Sequence, residues 1–113
     1  MIDTCAFGVM VIDSKTYTSD LIIYPDGRVI DHWLRKSGHR LSSDDIDSLI
    51  KSKPEVIVAG MGSSGLMKPE PELERLLQKK SIVFIAEPNE NAIKTFNTLL
   101  DSKKVSACFH LTC

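Results

Sequence analysis

The sequence predicts an α/β fold, with antiparallel strands in the first third of the chain and a β-α-β-α-β run in the remainder. Before Gly38, apolar residues alternate or form short β-branched runs that are separated by turn residues, as is typical of strands. After Gly38, apolar runs alternate with segments in which apolar residues recur every three or four positions, as in amphipathic helices. Strands that alternate with helices predict a mainly parallel sheet with right-handed crossovers.

The first third is predicted to form a meander of about three antiparallel strands. Residues 7–12 are apolar at successive positions, which predicts a strand that is covered on both sides. Residues 16–24 follow a polar turn and are rich in β-branched and aromatic side chains. Pro25-Asp26-Gly27 is a turn sequence, so residues 28–34 are predicted to return as the third strand.

The remaining elements alternate in type. The capping-box spacing of Ser42 and Asp45 predicts a short first helix that ends before Pro54, with Ser43 as an equally good cap. In chain order there follow a strand at 55–59, a helix opened by Pro69-Glu70-Pro71-Glu72, a strand at 81–86, a helix begun by Pro88-Asn89 and a strand at 105–111. The sequence shows no repeat or linker, so one domain spanning residues 1–113 is predicted.

Composition argues against several classes of function. The 113 residues include 14 basic and 15 acidic side chains, and a net charge of −1 argues against nucleic-acid binding. No run approaches the roughly 18–20 apolar residues of a membrane span, and the N-terminus lacks the pattern of a secretory signal. The three cysteines are an odd number, which fits reduced thiols better than a disulfide framework, so a cytoplasmic location is predicted.

The most conspicuous motif is Gly60-x-Gly62-x-x-Gly65, which follows a predicted strand. In dinucleotide-binding folds this spacing lets the backbone approach a pyrophosphate at a helix N-terminus. Here Pro69 places the helix start later, and the chain is too short for a complete dinucleotide domain. The alternative is that the glycines satisfy the backbone demands of a strand-to-helix loop. The second interpretation is favoured, and no cofactor is predicted.

Cys108-x-His110-x-x-Cys113 brings three potential metal ligands to the end of the chain. In a strand, Cys108 and His110 would share one face, and a fourth ligand would have to come from elsewhere. Buried cysteine more often acts as a small apolar side chain, and a strand histidine more often as a polar core residue. No metal site is therefore predicted.

Groups suited to nucleophilic catalysis are scattered along the chain. They are Ser63, Ser64 or Cys113 as nucleophile, His39 or His110 as base, and Asp20 or Asp31 as the residue that orients the base. The Gly-x-Ser-x-Gly elbow is absent, because two serines separate Gly62 from Gly65. Spacing alone gives no triad geometry, so no catalytic residue is predicted.

A different cluster, Trp33, Arg35 and His39, lies where a predicted strand runs into a loop. These aromatic and cationic groups suit a small anion or a partner's carboxylate, although they would equally suit packing and surface ion pairs. Ligands of α/β proteins commonly bind beyond the carboxyl ends of strands, where the glycine motif should also lie. The candidate ligand-binding residues are therefore Trp33, Arg35, His39, Gly60, Gly62, Ser63, Ser64 and Gly65.

Eight short motifs occur in an order that resembles the Mth938-like domain family, and together they span nearly the whole chain. They are Phe7-Gly8, Tyr17-x-x-Asp20, Pro25-x-Gly27, Trp33-x-Arg35-x-x-Gly38-His39, Pro54-Glu55, Gly60-x-Gly62-x-x-Gly65, Ala92-x-x-x-Phe96-Asn97 and His110-x-Thr112-Cys113. The resemblance implies a three-layer fold in which an N-terminal antiparallel β meander packs beside a mixed central sheet flanked by helices. One departure is Pro88-Asn89-Glu90-Asn91, which stands where many members have a threonine before the last helix.

The resemblance supplies no reaction or cofactor, because the family has no agreed activity. Its members include an adipogenesis-associated protein and an assembly factor of mitochondrial respiratory complex I. Together with the lack of a catalytic constellation, this favours a non-enzymatic binding or assembly module that acts through a protein partner. The alternative is a small-ligand protein or an enzyme that binds an anion or a nucleotide between the glycine motif and Trp33, Arg35 and His39.

Overall fold

The computed structural model describes residues 1–112, which form ten strands and three helices. The strands are β1 (Ile2–Ala6), β2 (Val9–Ile12), β3 (Lys15–Tyr17), β4 (Leu21–Ile23), β5 (Val29–Asp31), β6 (Arg40–Leu41), β7 (Val56–Gly60), β8 (Lys68–Pro69), β9 (Val83–Glu87) and β10 (Val105–Phe109). The helices are α1 (Asp47–Lys51), which follows a 3-10 turn at Asp44–Ile46, α2 (Pro71–Lys79) and α3 (Asn89–Leu99).

A five-stranded central sheet has the strand order β5-β4-β10-β7-β9. Strands β7, β9 and β10 run parallel, because α2 and α3 return the chain between them, whereas β4 runs antiparallel to β5 and β10. Strands β1, β2 and β3 form a separate antiparallel sheet, and β6 pairs with β8. The predicted α/β class, with an antiparallel meander beside a mixed sheet, is confirmed.

Two apolar clusters cover the two faces of the central sheet. Alternate residues of β7 divide between them, with Ile57 and Ala59 in one cluster and Val56 and Val58 in the other, as strand geometry requires. The first cluster packs against α1 and α2, and the second packs against α3 and the β1–β3 sheet. All five residues of β7 are buried, whereas the strand predicted at 7–12 to be covered on both sides begins at Val9 and buries only Met10 and Ile12.

The N-terminal strands differ from the predicted boundaries. Residues 2–6 form a strand that the pattern did not predict and that pairs with β2. The two strands are joined by a turn at Phe7-Gly8, in which the Gly8 amide donates to the Leu111 carbonyl at 2.8 Å. The predicted strand at 16–24 is two strands in different sheets, β3 and β4. The predicted strand at 28–34 ends at Asp31, because His32 adopts a φ of +55° and redirects the chain.

The helix starts also shift by a few residues. The Ser42 amide donates to the Asp45 carboxylate at 2.9 Å, which is one half of the predicted capping box, but the first regular turn is a 3-10 turn. Helix α2 begins at Pro71 rather than at Pro69, because Lys68–Pro69 pairs with β6 as a strand.

Candidate functional site

Strand pairing brings Asp20 next to His110 at the carboxyl end of the central sheet. Leu21 of β4 pairs with Phe109 of the antiparallel β10, so Asp20, which precedes Leu21, faces His110, which follows Phe109. Asp20 Oδ2 lies 2.7 Å from His110 Nδ1, and Asp20 Oδ1 accepts the Leu111 amide at 2.8 Å. The two side chains are 90 positions apart in the sequence, so only the antiparallel register explains their contact.

Arg35 completes a buried polar cluster, a name we use for Asp20, Arg35 and His110. Arg35 Nη1 donates to Asp20 Oδ2 at 2.7 Å, and its guanidinium lies 4.9 Å from the centre of the Trp33 ring. The indole of Trp33 is buried and donates to the Asp45 carbonyl at 2.8 Å, which fixes the ring under the guanidinium. The side chains of Arg35 and His110 are only 6% and 8% exposed.

The hydrogen bonds of the polar cluster keep the Asp20 carboxyl ionised. Burial raises the pKa of the Asp20 carboxyl, but hydrogen bonds from the Leu111 amide, His110 and Arg35 outweigh burial and hold the pKa below its ordinary value. His110 Nδ1 lies 2.7 Å from Asp20 Oδ2 and 2.9 Å from Arg35 Nη2, so this nitrogen contacts both members of the ion pair. Its Nε2 lies 3.5 Å from Thr112 Oγ1.

The glycine motif lies beside the polar cluster and is tied to it by the backbone and by Asn89. The His110 amide donates to the Gly60 carbonyl at 3.1 Å. Asn89, which is 1% exposed, donates to the His110 carbonyl at 2.8 Å and accepts the Gly62 amide at 3.2 Å. A single buried amide side chain therefore connects the loop, the end of β10 and the start of α3.

Most amides of the glycine motif donate to acceptors within the protein. Those of Met61, Gly62, Ser63 and Gly65 reach the Glu87 carbonyl, the Asn89 side chain, the Thr112 carbonyl and the Gly62 carbonyl at 2.9, 3.2, 3.2 and 3.2 Å, respectively. A loop that binds diphosphate must direct such amides toward the ligand. The motif is also followed by a loop and by β8 rather than directly by a helix.

Two of the glycines have structural explanations. A Cβ atom on Gly60 would collide with the Phe109 ring and with Oδ1 of Asn89, so only glycine fits at this position, where β7 pairs with β10. Gly62 adopts a φ of +104°, a conformation that L side chains rarely adopt. The interpretation of the motif as a structural loop therefore accounts for both positions.

The predicted ligand-binding residues lie along one edge of the sheet but do not all meet. Trp33 and Arg35 belong to the polar cluster or contact it, and Gly60, Gly62 and Ser63 adjoin it through the backbone. Ser64 is exposed, and a Cβ on Gly65 would contact Pro88 at 3.1 Å. The exposed His39 lies at the β6–β8 pair, where its carbonyl accepts the Lys68 amide at 2.9 Å.

The prediction of ligand-binding residues omitted Asp20, His110 and Asn89. Asp20 and His110 each occur in a motif that carries the family resemblance, but no local spacing indicates that β4 pairs with β10. Asn89 lies at the departure from the family pattern before the last helix, and that departure was the available signal. Asp31, the alternative orienting residue, instead lies 3.4 Å from the exposed His32.

The cysteine of the predicted strand face is a core residue. Cys108 is 0% exposed, and burial raises the pKa of its thiol to about 12. Within residues 1–112, no three His, Cys, Asp or Glu side chains are grouped so that they could hold a metal ion. Cys113, the third member of the motif, lies outside the described residues.

Three exposed apolar side chains, Phe7, Leu34 and Leu66, lie on loops that are anchored at this same edge. They are 70%, 86% and 57% exposed. Phe7 precedes Gly8, which is bonded to Leu111, and Leu34 lies between Trp33 and Arg35. Leu66 follows the glycine motif in the loop that Met67 closes onto the Met61 carbonyl at 3.0 Å. We call these three side chains the carboxyl-edge surface.

A family model described as a protein of unknown function (DUF498/DUF598) matches residues 2–110. The chain belongs to this family. The match covers the three sheets, all three helices and the whole polar cluster of this chain.

Solved structures agree with this assignment. A conserved hypothetical protein of Pyrococcus horikoshii OT3, PH1505, is 27% identical over 100% of this chain and 99% of its own, with a TM-score of 0.90. The protein MT938 is 27% identical over 100% of this chain and 98% of its own, with a TM-score of 0.83. These matches confirm the Mth938-like resemblance and its three-layer fold.

A third solved structure shares the fold at lower identity. It is described as an outer membrane protein from Bartonella henselae, is 24% identical over 99% of this chain and 94% of its own, and has a TM-score of 0.81. Among residues 1–112 of this chain, no helix is long and apolar enough to span a membrane.

Proposed function

We propose that this chain is a non-enzymatic binding or assembly module that contacts a protein partner through the carboxyl-edge surface. The observation that carries the proposal is the exposure of Phe7, Leu34 and Leu66 on three separate loops of one edge. Large apolar side chains gathered on one surface are typical of protein interfaces, whereas single scattered ones are common on any protein.

The polar cluster supports this proposal because its charges are paired inside the protein. Asp20 and Arg35 neutralise each other, and His110 Nδ1 lies within hydrogen-bond distance of both. The cluster anchors the loop of Leu34 and the end of β10, onto which the turn of Phe7 is bonded. A surface on such a fixed base loses little conformational entropy when a partner binds.

Substitution of the carboxyl-edge surface tests the proposal. A double variant, Phe7→Ser with Leu34→Ser, should keep its fold and lose a stoichiometric partner in affinity capture from the native host. The matched control is Val83→Ser at the start of β9, since Val83 is 56% exposed but lies at the opposite end of the strands. Equal capture by the double variant and the wild type would contradict the proposal, and so would a partner that proves to be a second copy of the chain.

A small anionic ligand is a second candidate function, and one observation favours it. Arg35 Nε is buried and has no hydrogen-bond partner among residues 1–112, so an oxygen of a carboxylate or a phosphate would satisfy this donor. Titration with acetate and with phosphate, at constant ionic strength, should shift the Arg35 Nε–H resonance. An Arg35→Lys variant removes Nε and should abolish any stabilisation by these anions, whereas an unchanged resonance in the wild type would exclude the site.

We further propose a cytoplasmic location for the protein. The thiols of Cys5 and Cys108 are both free in the structure, which fits a reducing compartment. Fractionation of the native host should recover the chain with cytoplasmic marker enzymes, and recovery with membranes would contradict the proposal.

A further inference from the structure

The opposite edge of the central sheet contains a cavity of about 600 Å³ that neither proposed function uses. It lies at the amino ends of the parallel strands, between the end of α1 and the end of α2. Its apolar floor consists of Ile50, Pro54, Leu76 and Ile82, which are buried or half-buried. Ile50 and Ile82 belong to the core cluster under α1 and α2, so an apolar body in the cavity would extend that core.

The rim of the cavity is cationic although the chain as a whole is slightly acidic. Three lysines, Lys51, Lys53 and Lys80, line it against one carboxylate, Asp47. Asp47 accepts Lys51 Nζ at 2.9 Å, and among residues 1–112 no carboxylate lies within 4.0 Å of the ammonium group of Lys53 or Lys80. The rim therefore carries an excess of two positive charges, whereas the net charge of the chain is −1.

The backbone of Lys53 provides a second, independent observation. Lys53 directly follows the C-cap of α1 and adopts a φ of +54°, with its amide donating to the Ile50 carbonyl at 3.1 Å. Glycine is the usual residue at such a position, because a side chain strains the left-handed conformation. A long cationic side chain is thus held at the rim despite the conformational cost of this backbone conformation.

We propose that this cavity binds a small amphipathic anion, with its carboxylate or phosphate head on the lysines and its apolar body on the floor. The volume lies within the range of cavities that hold small organic molecules, about 300–1,000 Å³. Lysine ammonium groups on flexible stems suit a head of either chemistry, since they act as point charges without the fixed geometry of arginine.

The proposal is tested by amide chemical-shift titration of the full chain with octanoate. Octanol, which lacks the charge, and acetate, which lacks the apolar body, are the matched probes, and octyl phosphate distinguishes the two head groups. Octanoate or octyl phosphate should shift resonances of residues 47–54 and 76–82 and bind at least about fivefold more tightly than octanol or acetate. Equal affinity for octanol, or shifts confined to Arg35 and the carboxyl edge, would overturn the proposal.

Two glycine variants separate binding from stability. Lys53→Gly should raise the melting temperature by about 2–5 °C, because it relieves the left-handed backbone, and should weaken octanoate binding by about three- to fivefold. Ser14→Gly is the matched control, since Ser14 has a φ of +68° in the turn between β2 and β3, carries no charge and does not line the cavity. It should raise the melting temperature and leave octanoate affinity unchanged, whereas unchanged affinity in Lys53→Gly would overturn the proposal.

The cavity could instead contact an acidic segment of a protein. A titration with an acidic peptide distinguishes this alternative from a small amphipathic anion. If an acidic peptide shifted residues 47–54 and 76–82 while octanoate did not, the cavity would be a protein contact and the proposal would be wrong. Either result leaves the carboxyl-edge proposal untouched, because Phe7 and Leu34 lie at the other end of the strands.

Discussion

At the scale of the residue, the Asp20 carboxylate accepts hydrogen bonds from three groups, the Leu111 amide, Arg35 and His110. Asp20→Asn would leave the Arg35 guanidinium buried without its counter-charge. We expect a loss of about 3 kcal/mol in the free energy of unfolding, at the lower end for a broken buried pair because Asp20 is 19% exposed. Urea unfolding at pH 7 measures the loss.

Asp13→Asn is the control for this substitution, because Asp13 forms an exposed ion pair with the N-terminus and should cost less than about 1 kcal/mol. If both variants lost the same small amount, the buried pair would not stabilise the fold. An Arg35→Ala variant is less informative about ligand binding than Arg35→Lys. It leaves Asp20 without its counter-charge, so a loss of stability would accompany any loss of binding.

Acid should remove the stabilisation by Asp20 in a defined direction. The folded pKa of Asp20 is lowered from its ordinary value of 3.8, so its contribution is complete above that value and is lost as the pH falls toward the lower folded pKa. The difference in free energy of unfolding between wild type and Asp20→Asn should therefore shrink as the pH is lowered from 6 to below 3.8. A difference that stayed constant over this range would contradict the lowered pKa.

The Cys108 thiol should be inert in the folded protein. It is fully buried and its pKa is raised to about 12, so at pH 8 almost no reactive thiolate forms. Peptide mapping after iodoacetamide treatment should show Cys108 unmodified in buffer and modified in denaturant. Modification of Cys108 in buffer at the rate of Cys5, which is only half-buried, would indicate that β10 opens locally.

At the scale of the element, the packing of the Phe109 ring of β10 against β7 depends on Gly60. Gly60→Ala would drive a methyl group into the Phe109 ring and Asn89 Oδ1, and we expect a loss of about 2 kcal/mol or more in the free energy of unfolding. Gly38→Ala is the matched control, because a Cβ there meets nothing within 4 Å. Thermal unfolding of both variants checks this, and a neutral Gly60→Ala would show that the strands adjust freely.

The elements that were predicted correctly are those whose signal is local. The apolar run of β7 and the regularly spaced apolar residues of α3 can each be recognised within a dozen residues of sequence. Both elements lie where the pattern predicted them. The break between β3 and β4 has no such signal, because β3 pairs with β2 in one sheet and β4 pairs with β5 and β10 in another. For the same reason Arg35 was predictable as a candidate, whereas its partnership with Asp20 and His110 required the register of distant strands.

At the scale of the whole molecule, the two ends of the parallel strands differ in chemistry. The carboxyl end carries the paired charges of Asp20 and Arg35 under exposed apolar loops, whereas the amino end carries the uncompensated lysines Lys53 and Lys80 over an apolar cavity. The central strands β7 and β10 connect these ends, so both proposed binding surfaces rest on the same rigid support.

That support should be the last part of the molecule to open. Strands β7 and β10 are fully buried and are paired on both sides, whereas β3 lies at the edge of the outer sheet and has mostly exposed residues. In native-state hydrogen exchange, the opening free energy of the β7 and β10 amides should therefore equal the full free energy of unfolding, roughly 5–15 kcal/mol. The opening free energy of the β3 amides should be much smaller. The Asp20→Asn variant provides a check within the same measurement, because it should lower the protection of β10 by the amount that urea unfolding reports. Equal protection in β3 and β10 would mean that the outer sheet unfolds only with the central sheet, and the two layers would then form one cooperative unit.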